Sequence, residues 1–367
     1  MATKTSDTAT ETAKALAERI FLASIGLADI ACIHIGYRLG LYERLLEVGP
    51  ATSAQLASAA DVDERYAREW LEQQAVTGIL EVRDDAKPAE VREYVLPPGA
   101  ERVLVDRDSP LFLAPAARAA VGSLKPLPAL IESFRTGKGV AYPDYGADTR
   151  EGIAEVNRAM FINDMASWLG QVEEVDARLS SADGARVADI GCGSGWSSIS
   201  IARAYPHVTV DAFDVDQASV ELARVNVEAE GLGDRVRPLI QDAGDGTLTG
   251  RYDLVTIFEA LHDMARPVEA LRSAKELLIE GGCTIVADER VAERFAAPGD
   301  ELERFMYGWS VLHCLAVGKH DHEHSAETGT VMRPSTLERY ATEAGYSSVE
   351  VLPIENDFWR FYRLRPE

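Results

Sequence analysis

Cysteine is scarce in this chain and never paired by spacing. Cys32, Cys192, Cys283 and Cys314 lie far apart, with no C-x-x-C step. That excludes a disulfide framework and suits the reduced thiols of a cytoplasmic protein. Basic residues are also in deficit: 37 stand against 60 acidic ones, a net charge of −23. Such a surface repels phosphate backbones, so no nucleic-acid partner is expected. Internal repeats and low-complexity tracts are missing as well, and no targeting segment is expected, since Asp7 and Glu11 precede any apolar stretch. The run 20–37 has membrane-like apolarity, but Gly26, Asp29, His34 and Gly36 interrupt it. Those residues are costly in lipid, so the run is expected to be a buried helix and no membrane partner is expected.

What the chain does have is enough length for two domains, 367 residues,. The expected division is 1–149 and 150–367. Apolar residues at three- and four-residue steps over 11–48 predict a helix with a break near Gly26. It is apolar on several faces, so it must be covered, either by its own chain or by a second copy. Residues 51–83 read as a helix-turn-helix: Thr52 or Ser53 caps one helix and Asp61 or Asp63 starts the next. Two short strands, 79–82 and 94–96, complete a winged helix. Over 52–83 three arginines (65, 68, 83) meet six acids (61, 63, 64, 69, 72, 81). A recognition helix with that balance cannot gather phosphates, so the winged helix is expected to serve a homodimer.

The segment 97–148 is rich in Pro and Gly, with helical pieces near 111–121 and 127–134 and a loop over 136–146. A helix over 150–175 is expected to connect the domains. Beyond it strands and helices alternate. Strands are expected at 186–191, 208–214, 236–242, 253–260 and 283–288, and helices at 197–205, 217–230 and 267–280. A last helix, 335–344, precedes an antiparallel hairpin, 348–353 and 358–364. Alternation implies right-handed crossovers and a parallel sheet covered on both faces, an α/β domain.

The stretch that organises this second domain runs from Val187 to Trp196, with Asp189, Gly191, Gly193 and Gly195 at every second position. A strand that turns through glycines into a helix offers bare N–H groups and a helix N-terminus to a ligand. A dinucleotide fold asks for G-x-G-x-x-G, and here position 196 is Trp,. The pattern instead resembles motif I of class I S-adenosylmethionine (SAM) dependent methyltransferases. The layout as a whole resembles small-molecule O-methyltransferases of secondary metabolism that carry an N-terminal winged-helix-like dimerisation domain.

That resemblance implies a Rossmann-like, seven-stranded, mostly parallel sheet with a C-terminal antiparallel hairpin, behind an N-terminal, mainly α, winged-helix-like domain. It implies SAM as cofactor, bound by Asp189, Gly191, Gly193, Gly195, Asp214, Val215, Asp242, Ala243 and Phe258. In this picture Asp214 accepts from the ribose hydroxyls, Asp242 from the adenine amino group, and Asp189 helps to hold the glycine turn and the methionine ammonium. Asp216 is better suited to cap the following helix. The His262-Asp263 step resembles the catalytic step of the plant-type enzymes, with Met264 where a Trp commonly follows. Three roles stand open for His262: general base, lining of the cofactor site, and packing. The acceptor is expected to be a small molecule with a hydroxyl. A SAM-binding regulator and an N- or C-methyltransferase without a base are the alternatives.

Two further stretches stand out. His320, His322 and His324 alternate and could hold Zn²⁺ on a strand, but a solvated lid loop is the expected state. No metal is therefore expected. Residues 305–315 are aromatic and apolar, in an insertion the sheet does not need. They suit a pocket wall or a core helix.

Overall fold

The computed structural model describes residues 2–320 and 324–366, with side chains from residue 9. The chain forms two compact units, 1–121 and 122–367. Segment 122–149, expected with the first domain, belongs to the second unit: Leu130, Val140 and Tyr145 bury together with Ala316.

In the first unit one unbroken helix spans Ala2–Arg38. It passes straight through Gly26, and the break falls at Gly40, whose φ of 65° is left-handed. Its C-terminal third is pinned to helix Glu64–Val76, where Trp70 Nε1 donates to the Cys32 carbonyl at 2.9 Å. Gly36 permits this approach, since a Cβ there would meet the Trp70 ring at 2.5 Å. The rest of the helix is not buried by its own chain: Ile20, Phe21 and Leu22 are exposed. Of the two covers expected for this helix, its own chain supplies only the C-terminal part. The helix is long and apolar enough to cross a membrane, with only 6% of its apolar window buried.

Thr52 caps helix Ser53–Ala60 through a reciprocal box with Gln55,. Asp63 caps Glu64–Val76 by accepting from the Arg65 and Tyr66 amides. Asp61 ends the preceding helix in a left-handed conformation instead. Strands β1 (Glu81–Val82) and β2 (Tyr94–Val95) pair antiparallel and make the wing.

The second unit holds β3 (Ala185–Ile190), β4 (Val208–Asp214), β5 (Val236–Ile240), β6 (Tyr252–Phe258), β7 (Leu278–Glu289), β8 (Ser348–Val351) and β9 (Trp359–Arg365). Their order is β5-β4-β3-β6-β7-β9-β8. β5, β4, β3, β6 and β7 run parallel, and β9 lies antiparallel to β7 and β8. The strand order reverses at β3, so a crevice opens outside its carboxyl end. The central strands are apolar on both faces, which requires cover on both. Val187, Leu254 and Ile285 pack with Trp168, Leu169 and Ile199. Ala188, Val255 and Val286 pack with Leu271, Leu337 and Ala341 on the other side.

β7 begins at Leu278, earlier than expected, because helix Pro267–Glu276 stops before the Gly281-Gly282 pair. A helix also starts within the expected loop, at Tyr142, and runs to Gly170 with a bend at Gly146.

Candidate active site

All three motif glycines have positive φ: Gly191 at 73°, Gly193 at 52° and Gly195 at 84°. An added Cβ at Gly191 would lie 2.5 Å from the Ala260 Cβ, and at Gly195 3.1 Å from that of Ala223. At Gly193 no atom lies within 4 Å. The first and third glycines therefore serve close packing, and the second leaves open space.

A cavity of about 540 Å³ opens over these glycines at the carboxyl ends of the parallel strands. β3 feeds it Gly191 and Gly193, β4 Asp214 and Val215, β5 Asp242 and Ala243, and β6 Phe258 and Glu259. Gly193 N–H donates to Asp214 Oδ2 at 2.8 Å, and Asp216 N–H to Asp214 Oδ1 at 2.9 Å. Burial raises the Asp214 carboxyl above its ordinary value, and these amides oppose the shift. Asp216 caps helix Gln217–Ala229 as expected, and Arg150 Nε pairs with it at 2.7 Å. Asp242 accepts from Arg266 Nη2 at 2.8 Å and from the Gly244 amide at 2.7 Å.

Three expected residues stand elsewhere. Asp189 is buried and does not line the cavity. Ser197 and Ser198 donate to its Oδ2 at 2.5 and 2.6 Å, and Thr256 to its Oδ1 at 2.8 Å. Burial raises its carboxyl, opposed by the three hydroxyls. Asp189 thereby ties the end of β3 to the start of the following helix and to β6, and it does not reach the cavity where an ammonium contact was expected. Gly195 packs under the turn. His262 is 2% exposed and also lies behind the wall. Its Nδ1 faces Asp288 Oδ1 at 2.9 Å and its Nε2 faces Asp263 Oδ1 at 3.4 Å. Burial alone would lower the imidazole, but Asp288 and Asp263 hold it well above its ordinary value. A ring kept charged in that way is a poor proton acceptor.

The wall facing the cavity on this side is built from Asp263, Glu259 and His313. Glu259 follows β6 with a φ of 50°, and the Asn157 amide donates to it. Burial raises its carboxyl, and the charge of His262 opposes. His313 sits in a single π-helical stretch, Ser310–Cys314, between helices Glu301–Trp309 and Leu315–Lys319. Such bulges turn side chains that a regular helix would not bring together. Burial lowers the His313 imidazole below its ordinary value. Its Nδ1 lies 3.4 Å from Cys314 Sγ, and its Nε2 has no hydrogen-bond partner. Tyr142, Tyr145 and Trp309 stand edge-on around the ring. The insertion 305–315 thus lines the cavity through His313, while Met306 and Cys314 are buried.

The helix expected only to connect domains contributes Tyr142, Arg150, Ile153, Ala154, Asn157 and Phe161 to the cavity. Positions 150, 153, 154, 157 and 161 share one helical face. Arg150 and Asn157 on an otherwise apolar stripe were the signal in the sequence. The histidine cluster 320–324 falls partly outside the described residues; His320 lines the cavity edge.

Residues 181–332 match the family model of a methyltransferase domain, and residues 28–105 that of an Rv2258c-like winged HTH domain. The chain is 28% identical over 199 residues to ubiquinone biosynthesis O-methyltransferase of Stutzerimonas stutzeri, covering 53% of this chain and 78% of that one. For the enzyme of the same description from Nitrosospira multiformis the figures are 29% over 200 residues, 53% and 75%. The structure of mitomycin 7-O-methyltransferase MmcR superposes with a TM-score of 0.68 at 22% identity, covering 97% of this chain and 99% of that one. Human N-acetylserotonin methyltransferase in complex with SAM gives a TM-score of 0.71 at 15% identity, with 95% and 97% covered. At these identities the structural likeness is one of fold.

Proposed function

We infer, from the premise that this chain is a methyltransferase with a winged-HTH domain ahead of its α/β domain, that it moves a methyl group from SAM to a hydroxyl of a small molecule. One observation carries the reading. Gly193, Asp214, Val215, Asp242, Ala243 and Phe258 converge on one cavity from four adjacent parallel strands. That is the arrangement a nucleoside with a charged sulfur needs: acceptors for the ribose, an apolar slot for the base, and bare amides at the turn. SAM is the cofactor. The solved relatives with SAM or S-adenosylhomocysteine bound share the fold.

The transfer is an in-line displacement. The acceptor oxygen forms its bond to the methyl carbon as the carbon–sulfur bond breaks, and the electron pair stays on sulfur. Holding the two reactants in line supplies most of the rate, on the order of 7–11 kcal/mol in well-aligned cases. The hydroxyl proton needs an acceptor on the cavity wall. His313 suits this role: burial lowers its imidazole below the ordinary value, Cys314 Sγ 3.4 Å from Nδ1 can accept a hydrogen bond from that nitrogen, and Nε2 has no hydrogen-bond partner,. A second reading keeps His262 as the base. Its support is the His262-Asp263 step and its place directly behind the cavity wall.

Titration calorimetry with SAM and S-adenosylhomocysteine, followed by turnover on a phenolic surrogate, tests the function. Micromolar binding and a methylated phenol are expected. Binding of NAD in place of SAM would refute the reading.

The exposed apolar helix supports a homodimer, because a second copy would cover the surface left open in one chain. The acidic surface and unpaired thiols support a cytoplasmic setting without nucleic acid.

A further inference from the structure

We propose that His262, Asp263 and Cys314 form a binding site for a divalent metal ion of the zinc type, set in the wall of the cavity. One donor atom from each residue lies within 4.8 Å of the other two. The donors are an imidazole nitrogen, a carboxylate oxygen and a sulfur, the mixed set that borderline-soft cations favour.

Zinc–ligand bonds of roughly 2.0–2.3 Å place neighbouring donors of a tetrahedral site about 3.3–3.7 Å apart. His262 Nε2 and Asp263 Oδ1 already stand 3.4 Å apart. Asp263 Oδ1 has no hydrogen-bond partner, and its contact is the His262 ring, whose Nε2 proton a shared ion would replace. Cys314 Sγ needs to move by at most about an ångström to close the set.

The surroundings have the form of a supporting shell. His262 Nδ1 is engaged by Asp288 Oδ1 at 2.9 Å, which orients the ring and turns Nε2 toward Asp263 Oδ1. A carboxylate behind a ligating histidine fixes its tautomer and raises its basicity. His313 Nδ1 lies 3.4 Å from Cys314 Sγ and would donate to the thiolate that ligation requires,. Asp288 is 1% exposed, so this carboxyl group is held behind the ring in the interior.

The three donors also come from separate parts of the fold. His262 and Asp263 follow β6 in a short turn, Leu261–Asp263. Cys314 closes the π-helical stretch Ser310–Cys314. An ion would tie that insertion to the sheet. Asp263 lines the cavity, so a fourth coordination position opens toward it. An acceptor oxygen or water is the ligand that position would take. The binding claim itself does not depend on methyl transfer.

Cobalt(II) is the probe, added to the full-length protein after chelator treatment, without SAM or acceptor. One equivalent should bind, with a thiolate-to-cobalt charge-transfer band in the near ultraviolet. Cys314→Ser should abolish that band. Asp288→Asn should keep the band and weaken binding by about 10- to 100-fold, the usual effect of losing the carboxylate behind a ligating histidine. A triple variant, His320→Ala, His322→Ala and His324→Ala, should bind as the unaltered protein does, which excludes the nearby histidine run. Circular dichroism and SAM calorimetry on each variant report folding and cofactor binding separately. Absence of a bound equivalent, a band that survives Cys314→Ser in a folded protein, or a band lost in the triple variant overturns the site.

Discussion

The amide of Gly193 donates to Asp214 Oδ2 at 2.8 Å. This bond ties the middle of the glycine turn to the end of β4. One carboxylate thereby shapes the loop and lines the cavity. Each Asp214 oxygen accepts one backbone amide and keeps lone pairs for a ribose hydroxyl,.

Asp214→Ala should therefore weaken SAM binding by about 1–3 kcal/mol through lost hydrogen bonds. Calorimetry returning the unaltered affinity would remove Asp214 from the cofactor site.

The glycines should differ in what they lose. Gly191→Ala meets both a φ of 73° and a Cβ contact of 2.5 Å, so it should destabilise the fold by about 1–3 kcal/mol,. Gly193→Ala meets only left-handed strain, about 1–2 kcal/mol. Gly193→Val should leave a folded protein that no longer binds SAM, since its side chain enters the open cavity. Urea midpoints and calorimetry on the three variants check this. Equal stability loss at both positions would contradict the packing argument.

The pH profile separates the two candidate bases. Burial lowers His313, so if it takes the proton the acidic limb of turnover lies below the ordinary histidine value of about 6.5,. Asp288 and Asp263 raise His262, so a His262 base places that limb above about 6.5,. His313→Ala should lose roughly 10²–10⁴ in saturated turnover with little change in SAM affinity. Full turnover in that variant, with an unchanged acidic limb, would transfer the role away from His313.

Asp211 should set part of the acid stability. Burial alone would raise its carboxyl, but Tyr252, Arg237 and Arg186 donate to it at 2.7, 2.9 and 3.0 Å and hold it below its ordinary value. A lowered folded value gives stability that is present above the unfolded value of about 3.9 and is lost as pH falls through the folded one. Asp211→Asn should cost about 1–2 kcal/mol at neutral pH and flatten the stability curve below about pH 4. Chemical denaturation across pH reads both effects.

Ile20 and Phe21, 59% and 65% exposed in the single chain, are the expected centre of the dimer. Light scattering should give a dimer for the unaltered protein and a monomer for a variant with Glu at both positions. A stable 40 kDa monomer from the unaltered chain would sink the assembly proposal.

The alternation of apolar runs and helical segments determined the parallel sheet, because a strand buried on both faces has no other composition available to it. The spacing of Gly191, Gly193 and Gly195 marked the ligand turn, since positive φ and bare backbone are local properties. Capping by Thr52, Asp63 and Asp216 was legible for the same reason: a cap bonds only two or three residues away. The Ala2–Arg38 helix escaped this reading. Periodicity reports that a face is apolar and does not report what covers it, and Gly26 inside a helix costs too little to break it. The chemical wall of the cavity was decided by tertiary structure alone. His262 and His313 lie 51 positions apart in the chain; Asp288 and Asp263 raise the first imidazole, while burial lowers the second. Asp189 turned inward because Ser197, Ser198 and Thr256 surround it, and no sequence spacing encodes that enclosure. Burial and charge at a site are sums over neighbours that only the folded chain brings within a few ångströms.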